Sequence, residues 1–504
     1  MSLATDSTAT TFAKPRWLAR PLAVGVCAIA AFAIHASLPL NHDVAWIMEG
    51  ANRMLGGAQF GRDIVDVNPP LAWWLSCIPA AFARLTGIHL AQASVLFTLG
   101  YGLIAIALTD AARAVRSAAM LATLAFVLLL MPGYDFGQRE HLMLMSAVPY
   151  LAAVAARAER RPIGLTLAIA IGLFAGAGFC LKPYFLLVPI FAESWLAWQR
   201  RSLFACLRPD FVPIPLFGAA YTACIVLFAP DYLHVVAPEA VVTYWALNAS
   251  FAGVLRSSLI AVLPYGLFFA LVLAEARKRP SPTAAVMFVG ACGALVGAVL
   301  QMKGFTYHLL PAASLFALAC FWENGETSTG KLARLAAIGL VTIAALPAFQ
   351  QLRDAVSSKG TAARVAALSD AFVRYAGRGG TVYAFVTSPR DIHPAILASG
   401  TRWASDACCL YHLPAAIRAD ERPVSERARI QAVAARQVDH VLGDLARDHP
   451  AVIVVDAWPA QLGFGGRDFD YLRYLSQDPR FARLWRGYSE RQAIGGYRVF
   501  VANR

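Results

Sequence analysis

Long apolar segments separated by short polar connections fill the first two-thirds of the chain and constrain its fold more than any other feature. Each segment is close to the roughly 20 residues that an α-helix needs to cross a bilayer. The chain is 58% hydrophobic and only 15% charged, which excludes an ordinary soluble domain for this region. The pattern predicts a polytopic α-helical membrane domain with about eleven transmembrane helices. They are expected near residues 21–40, 90–109, 117–132, 139–156, 162–181, 184–199, 211–229, 254–274, 282–301, 305–321 and 332–349.

The net charge of +13 comes from short Lys and Arg clusters that lie between the apolar segments. Nucleic-acid binding is excluded because it would need basic residues gathered along one face. Clusters of this kind mark cytoplasmic loops instead. All of them fall on the cytoplasmic side if the run Pro69–Ile88 lies in the membrane interface rather than crossing it. These clusters are Arg113/Arg116, Arg157/Arg160/Arg161, Arg200/Arg201 and Arg277/Lys278/Arg279.

The topology divides the chain into three parts. Residues 1–20 form a cytoplasmic tail, residues 21–350 the membrane domain with a first outer loop at 41–89, and residues 351–504 an extracytoplasmic domain. The first apolar segment is expected to be a retained helix, since no small-x-small cleavage site follows it. An odd number of helices then places the N-terminus in the cytoplasm and the C-terminus outside the cytoplasmic (inner) membrane.

The last 150 or so residues have the composition of one small soluble domain. Helices are expected at Thr361–Ala376 and Val424–Asp448, and buried strands at Thr381–Thr387 and Ala451–Asp456. A closing hairpin is expected from Phe481–Tyr488 and Gly496–Val501. These elements predict an α/β domain, and it contains no nucleotide-binding fingerprint. The adjacent Cys408 and Cys409 are expected to be free or separately paired, because neighbouring cysteines bridge only through a strained ring.

The first outer loop carries four acidic residues, Asp43, Glu49, Asp63 and Asp66. Acidic side chains are costly beside hydrocarbon, so the group suggests a solvated pocket at the membrane surface. Asp43 is the leading catalytic candidate, although it could also cap the following helix. Asp63 is a second candidate, although both Asp63 and Asp66 could shape the turn before Pro69–Pro70. Glu49 is expected to point to a different face.

Polar residues also gather at later outer connections. The turn Tyr134–His141 offers Asp135 and Glu140 as acids and Arg139 as a phosphate partner, with interface anchoring as the alternative. Lys182 and Lys303 are further candidates for phosphate binding, although a lysine at a helix end also snorkels. Tyr307 and His308 could join them or bond between helices. Three aromatic residues match interfacial anchors, although aromatic faces also stack on sugars: Trp73, Trp74 and Tyr184.

Carboxylates and cations on one membrane face suit the transfer of a sugar from a lipid phosphate to a hydroxyl group. A carboxylate takes the acceptor proton as the new bond forms. Positive charge stabilises the phosphate leaving group. This chemistry also tolerates the oxocarbenium-like centre of glycosyl transfer.

Four segments resemble the GT-C superfamily of membrane glycosyltransferases, in the branch that holds protein O-mannosyltransferases and the lipid A aminoarabinose transferase. They are Asp43 with ANRMLGGAQFGRD at 51–63, NPPLAWWL at 68–75, GFCLKP at 178–183 and KGFTYHLLP at 303–311. The resemblance covers residues 1–325 or so and implies an inverting transferase that uses a polyprenyl-phosphate sugar. It also implies that Asp43 is the base or a metal-linked carboxylate. Family members often have Asp-Glu where this chain has Asp43-Val44, so a second acid must come from elsewhere or is not used.

The sequence therefore predicts a GT-C-like glycosyltransferase that acts on the outer face of the membrane. Its expected partners are a polyprenyl-phosphate-linked sugar donor, membrane lipids, and a lipid, polysaccharide or protein acceptor. No organic cofactor is expected, and a divalent metal ion stays open because the carboxylates would have to converge to bind it. Two alternatives stay open. One is a transporter or flippase of a lipid-linked sugar, which inverted repeats would favour, and the other is a catalytically inactive family member that binds or assembles.

Overall fold

The computed structural model describes residues 16–112, 114–115, 117–276, 279–326 and 331–503. Parts of two predictions lie outside these residues. They are the tail up to Pro15 and the basic residues Arg113, Arg116, Arg277 and Lys278. Residues 16–20, which the sequence assigned to the tail, belong to the first helix.

Among the described residues, fourteen α-helices precede the C-terminal domain, and every apolar segment that the sequence predicted to be helical is helical. Their bounds are α1 Arg16–Ser37, α2 His42–Met54, α3 Leu71–Thr86, α4 Leu90–Ala111, α5 Ala118–Leu129, α6 Arg139–Ala158, α7 Leu165–Phe179, α8 Leu187–Arg200, α9 Pro213–Phe228, α10 Ala237–Thr243, α11 Phe251–Ala276, α12 Pro282–Leu300, α13 Thr306–Glu326 and α14 Lys331–Val356.

The chain is a multi-pass membrane protein, but the predicted number of spans is not confirmed. Within the described residues, five helices are long and apolar enough to cross a bilayer, or six if α9 and the segment Tyr232–Leu247, bent by 93°, are one span. The difference arises because several predicted spans form short helices. For example, α5 has 12 residues and α7 has 15, fewer than the roughly 20 that a straight span needs.

Helix α6 lies at the centre of the bundle, and 89% of its most apolar 18-residue stretch is buried. It packs against α4, α7, α8, α12 and α13. Small residues allow this close packing: a methyl group at Gly178 would lie 2.3 Å from Cβ of Ser146 on α6. The end of α7 is therefore held against the start of α6, and the turn that follows α7 carries Lys182.

The first loop folds into two short helices, α2 and α3, and it is fixed to the C-terminal domain. Asn41 caps α2, because its Oδ1 accepts a hydrogen bond from the Asp43 amide at 3.0 Å. Capping is thus provided by Asn41, and the Asp43 carboxylate is free for other contacts. Farther along the loop, Val65 pairs with Ala407, and the Arg53 guanidinium donates to the Ser405 carbonyl at 2.8 Å.

The C-terminal domain is α/β. Its helices are α15 Thr361–Ala376, α16 Ile392–Ser399, α17 Leu413–Ile417, α18 Val424–Asp448, α19 Tyr471–Leu475 and α20 Pro479–Trp485, and its strands are β1 Thr381–Phe385, β2 Arg402–Trp403, β3 Val452–Asp456, β4 Tyr488–Ile494 and β5 Tyr497–Ala502. The sheet order is β2-β1-β3-β5-β4. Strands β1 and β3 are parallel with Val382 opposite Val452, and β5 runs antiparallel to both β3 and β4.

The predicted closing hairpin was wrong in its first strand. Residues 479–485 form α20, in which Phe481 and Trp485 stack with their ring centroids 5.5 Å apart. The strand begins only at Tyr488 and returns through Gly495, whose φ of 58° suits a tight turn. The predicted helices at 361–376 and 424–448 begin and end at the expected residues, and the predicted strands at 381–387 and 451–456 correspond to β1 and β3. Helices α16, α17 and α19 and strand β2 were not predicted.

Candidate active site

A cavity of about 1160 Å³ lies between one end of the helical bundle and the C-terminal domain. The bundle contributes the starts of α2, α6 and α13 and the turns before α8 and α13. The C-terminal domain contributes the segments that follow β1 and β3. Seven of the predicted site residues line this cavity: Asp43, Asp135, Arg139, Lys182, Lys303, Tyr307 and His308.

Asp43 lies at the start of α2 and faces the start of α6. Arg139 Nη2 donates to its Oδ2 at 2.9 Å, and Gln138 Nε2 donates to the same oxygen at 3.1 Å. His42 Nε2 lies 3.5 Å from Oδ1. Arg139 is only 4% exposed, and no described residue bonds its Nε. The pair places a carboxylate next to a cation that still has an unused donor.

Burial raises the pKa of Asp43, but His42, Arg139 and the Gln138 hydrogen bond outweigh it and lower that pKa to about 2. Asp43 is therefore ionised at every physiological pH. Asp135 has the opposite surroundings: burial, Glu140 and Asp43 raise its pKa to about 7. Asn41 Nδ2 donates to Asp135 at 3.3 Å and Gln138 Nε2 donates to Asn41 at 2.8 Å. Two carboxyl groups with separated pKa values thus share one hydrogen-bonded chain.

Lys182 and Glu140 form a buried ion pair beside this chain. Lys182 Nζ donates to Glu140 Oε1 at 2.6 Å, and His308 Nε2 lies 3.5 Å from the same oxygen. Lys182 also lies 5.6 Å from the ring centroid of Tyr307. Burial lowers the pKa of Lys182, while Glu140 opposes that effect. Glu140 itself is fully buried and does not line the cavity, so its position suits a partner of Lys182 better than a catalytic acid.

Lys303 approaches the cavity from the turn before α13. Its Nζ donates to the Tyr244 carbonyl and to Asn248 Oδ1, both at 2.7 Å, and lies 3.9 Å from the Tyr244 ring centroid. All of these partners are uncharged, and burial lowers the pKa of Lys303 to about 7. Lys303 is thus a cation without a described carboxylate partner.

The other acids of the first loop lie in different surroundings. Asp63 does not line the cavity, and it shapes its own turn because its carboxylate accepts a hydrogen bond from the Gln59 amide at 2.8 Å. Asp66 lines the cavity but accepts bonds from Trp46 and Asn68. Glu49 is buried with its Oε2 3.5 Å from His393. His141 bonds the Leu128 carbonyl, as a structural residue would.

Sequence reasoning missed the polar residues that complete the site. Gln138 and Asn41 connect Asp43 to Asp135. Gln138 directly precedes Arg139 and Asn41 lies two positions before Asp43, so closeness in sequence to predicted site residues was the signal that could have found them. No local pattern pointed to the residues that the C-terminal domain contributes to the cavity wall. These include Arg364, Arg390, Asp391, Asp456, Trp458 and Tyr497.

The described residues contain no group of three or more His, Cys, Asp or Glu side chains arranged to hold a metal ion. The groups that reach Asp43 are hydrogen-bond donors rather than additional oxygen ligands. The residues around Asp43 therefore do not fit a divalent ion. Cys408 and Cys409 both carry free thiols, with their sulfurs 3.4 Å apart.

Comparison with known proteins supports a fold assignment. No family model matches the chain, and no curated relative matches it. Among solved structures, the chain is similar to ArnT from Cupriavidus metallidurans bound to undecaprenyl phosphate, with a TM-score of 0.57 and 14% sequence identity over 96% of this chain and 97% of that one. The apo state of the same protein gives a TM-score of 0.58, also with 14% identity and the same coverage.

The chain has a GT-C fold. At 14% identity the similarity concerns the fold, and the chemistry has to be argued from the side chains. The GT-C fold nevertheless extends over the C-terminal domain as well as the helical bundle, since the match covers 96% of the chain. The predicted GT-C architecture is therefore confirmed, including a small strand-containing domain at its C-terminus.

Proposed function

We propose that this protein is an inverting glycosyltransferase that moves a sugar from a polyprenyl-phosphate donor to an acceptor hydroxyl group. The single observation that carries the proposal is the Asp43–Arg139 pair, which lies in the cavity with Lys182 and Lys303 nearby. A base and a phosphate site are thus adjacent. The binding of undecaprenyl phosphate by ArnT, which shares this fold, agrees with a donor of that class.

In this mechanism the acceptor oxygen attacks the anomeric carbon of the donor. The bond from that carbon to the phosphate oxygen breaks, and the electron pair leaves with the polyprenyl phosphate. Asp43 takes the acceptor proton as the new bond forms. Arg139, Lys182 and Lys303 stabilise the charge on the leaving phosphate, and Tyr307 and His308 complete the phosphate site.

Donor binding is expected to activate Asp43. In the resting site Arg139 contributes to lowering the pKa of Asp43 to about 2, which makes the carboxylate a weak base. A donor phosphate bound to Arg139 would bring a competing negative charge and raise the pKa of Asp43 again. The base would then become effective only when donor occupies the site.

We place the active site on the outer face of the cytoplasmic membrane, with the N-terminus in the cytoplasm. Helix α6 begins at the cavity with Arg139, and the basic residues Arg157, Arg160 and Arg161 lie at its other end. A helix of 20 residues extends about 30 Å, the thickness of the hydrocarbon core. Basic residues at the far end indicate the cytoplasmic side, so the cavity and the C-terminal domain are assigned to the outside.

The direct test incubates the full-length protein in lipid nanodiscs with a panel of polyprenyl-phosphate sugars and with acceptors of three classes: saccharides, a Ser/Thr-rich peptide and the nanodisc lipid. The expected result is that at least one donor is consumed and that free polyprenyl phosphate and glycosylated acceptor appear in equal amounts. A flippase would leave every donor chemically intact, as would an inactive family member. The same protein is therefore also reconstituted into sealed vesicles, where donor that crosses the bilayer without cleavage would overturn the transferase proposal in favour of transport.

Lys303 predicts a pH dependence of donor binding. Because its pKa is lowered to about 7, Lys303 is charged below that pH and neutral above it, so phosphate binding should weaken as the pH rises through about 7. Donor KM measured across about pH 6 to 9 tests this. Lys303→Arg stays charged throughout and is expected to flatten the profile.

Asp135 titrates in the same range and requires its own control. Its pKa is also about 7, so Asp135→Asn is measured in parallel. If the pH dependence of KM survives Lys303→Arg but disappears in Asp135→Asn, the titrating group is Asp135 and the assignment to Lys303 is wrong.

A further inference from the structure

Trp458 lies in the wall of the active-site cavity that the C-terminal domain provides, and the residue is 41% exposed. Trp458 comes two residues after the end of β3, so the sheet anchors the backbone beside it. An aromatic ring that is exposed in the wall of a polar cavity offers a flat apolar face to a ligand. The proposed transfer chemistry at Asp43 assigns no part to this ring.

The backbone of Gly496 supports one side of the Trp458 ring. A methyl group at Gly496 would lie 2.3 Å from Cδ2 and 2.4 Å from Cε2 of the ring, so only glycine permits this approach. The Trp458 amide is also bonded to Asp456 Oδ1 at 2.9 Å, and the Tyr497 ring contacts Trp458 edge-on with centroids 6.3 Å apart. The ring is therefore held in place while much of its surface borders the cavity.

Hydrogen-bonding groups of both kinds line the same cavity as the ring. Asp456 is 7% exposed, and within the described part of the chain only its Oδ1 accepts a hydrogen bond. Arg390 is exposed in the same cavity and forms no ion pair with a described residue. By contrast, Arg364 is bound to Asp391 at 2.8 Å, and its guanidinium lies over the Trp458 ring, 5.8 Å from the ring centroid. Asp456 thus has a free acceptor next to the ring, and Arg390 supplies free donors in the same cavity.

We propose that Trp458, Asp456 and Arg390 form a saccharide-binding subsite for the acceptor. The C–H groups on one face of a sugar ring stack on an aromatic ring, while its hydroxyl groups need both donors and acceptors. A lipid chain would not use Asp456 or Arg390, and an anion would pair with Arg390 but leave the Asp456 acceptor unused. The subsite belongs to the C-terminal domain and is reached from the aqueous side in the proposed topology, whereas the lipid-linked donor enters from the membrane.

The subsite lies in the same cavity as the proposed base. Arg390 and Asp391 are close enough to His42, the neighbour of Asp43, to act on it electrostatically. A saccharide stacked on Trp458 would therefore direct its hydroxyl groups into the cavity that holds Asp43. The role of this saccharide as the acceptor rests on the proposed transferase function, whereas saccharide binding itself does not.

The test measures binding by the full-length protein in nanodiscs with defined compounds. Chitotetraose, mannotetraose and a glucosamine disaccharide are the saccharides, and a Ser/Thr-rich peptide and glycerol 3-phosphate represent other acceptor classes. At least one saccharide is expected to bind, and Trp458→Ala should weaken it about tenfold, the size of an aromatic stacking contact. Trp458→Phe keeps a smaller aromatic face and should lose about threefold.

Two further variants separate stacking from general destabilisation. Trp198→Ala removes a tryptophan that is 74% exposed on α8 and does not line the cavity, and it should leave binding unchanged. Asp456→Asn keeps the size of the side chain and should weaken saccharide binding. Its melting temperature should fall less than that of Trp458→Ala, which loses an aromatic contact. The proposal is overturned if no saccharide binds, if Trp198→Ala has the same effect, or if Trp458-dependent binding is seen only with the peptide or the phosphate.

The two proposals fail in different ways. Saccharide binding that depends on Trp458, in a protein that consumes no donor, would retain the subsite and reject the transferase. Donor consumption in a protein that binds none of the saccharides would do the reverse. In the active protein, Trp458→Ala should raise the acceptor KM about tenfold and leave the donor KM unchanged.

Discussion

Replacing Asp43 with asparagine is expected to lower the rate of sugar transfer about 10²–10⁴-fold, the usual contribution of a general base. Asparagine keeps the shape of the side chain but cannot accept the acceptor proton. The rate is measured as release of polyprenyl phosphate from the donor that the panel identifies. Because Arg139 is buried and would lose its carboxylate partner, the melting temperature is measured on the same preparation.

The matched comparison is Asp63→Asn, which makes the same change on the same loop but outside the cavity. Asp63 is 42% exposed at its side chain, and its loss is expected to leave transfer near the wild-type rate. The reverse result, with Asp63→Asn inactive and Asp43→Asn active, would assign the base to Asp63. A loss of activity in Asp43→Asn that follows only from unfolding would show as a lowered melting temperature and reduced yield.

The helices were predictable where their pattern was long and unambiguous. In α18 the apolar residues repeat with helical period over 25 residues, and this alone defines the element. The segment around Phe481 is too short for its period to decide. Its Phe481–Trp485 spacing suits both a buried strand and one helical turn, and tertiary stacking selects the helix.

The polar part of the site was predictable in kind but not in its pairing. Charged residues at one end of an apolar bundle must find partners, so an encounter between Asp43 and the later cations was a reasonable expectation. The sequence did not specify that Glu140 would pair with Lys182, since the start of α6 and the turn after α7 meet only once Gly178 has packed on α6.

The outer wall of the cavity could not be predicted from the sequence. Trp458 and Arg390 reach the site only because the C-terminal domain docks on the first loop, through contacts such as Arg53 with Ser405. Arg53 and Ser405 are separated by 352 positions in the sequence. No local sequence pattern predicts a contact over such a distance. For Trp458 and Arg390, the sequence shows only that each residue comes shortly after a buried strand.

Replacing Lys182 with methionine is expected both to destabilise the fold and to weaken donor binding. A second substitution, at Glu140, separates these two effects. Glu140 is fully buried and bonded to Lys182 at 2.6 Å, so the single variant leaves a carboxylate in the interior without its cation. Breaking a buried pair in this manner costs about 3–5 kcal/mol of folding free energy. The melting temperature of Lys182→Met should fall, and its activity should be lost for that reason alone.

The double variant Glu140→Gln/Lys182→Met removes both charges and should recover most of the lost stability, since a neutral pair has no uncompensated charge. If Lys182 binds the donor phosphate, the double variant will be folded but its donor KM will rise about 10–100-fold, as expected for one lost hydrogen bond between charged groups. The single variant Glu140→Gln also breaks the buried pair, so its melting temperature should fall as well, but the protein that stays folded keeps the lysine and should have a lower donor KM than the double variant. Recovery of the wild-type donor KM in the double variant would instead show that Lys182 serves only to neutralise Glu140, and the phosphate site would then be left to Arg139 and Lys303.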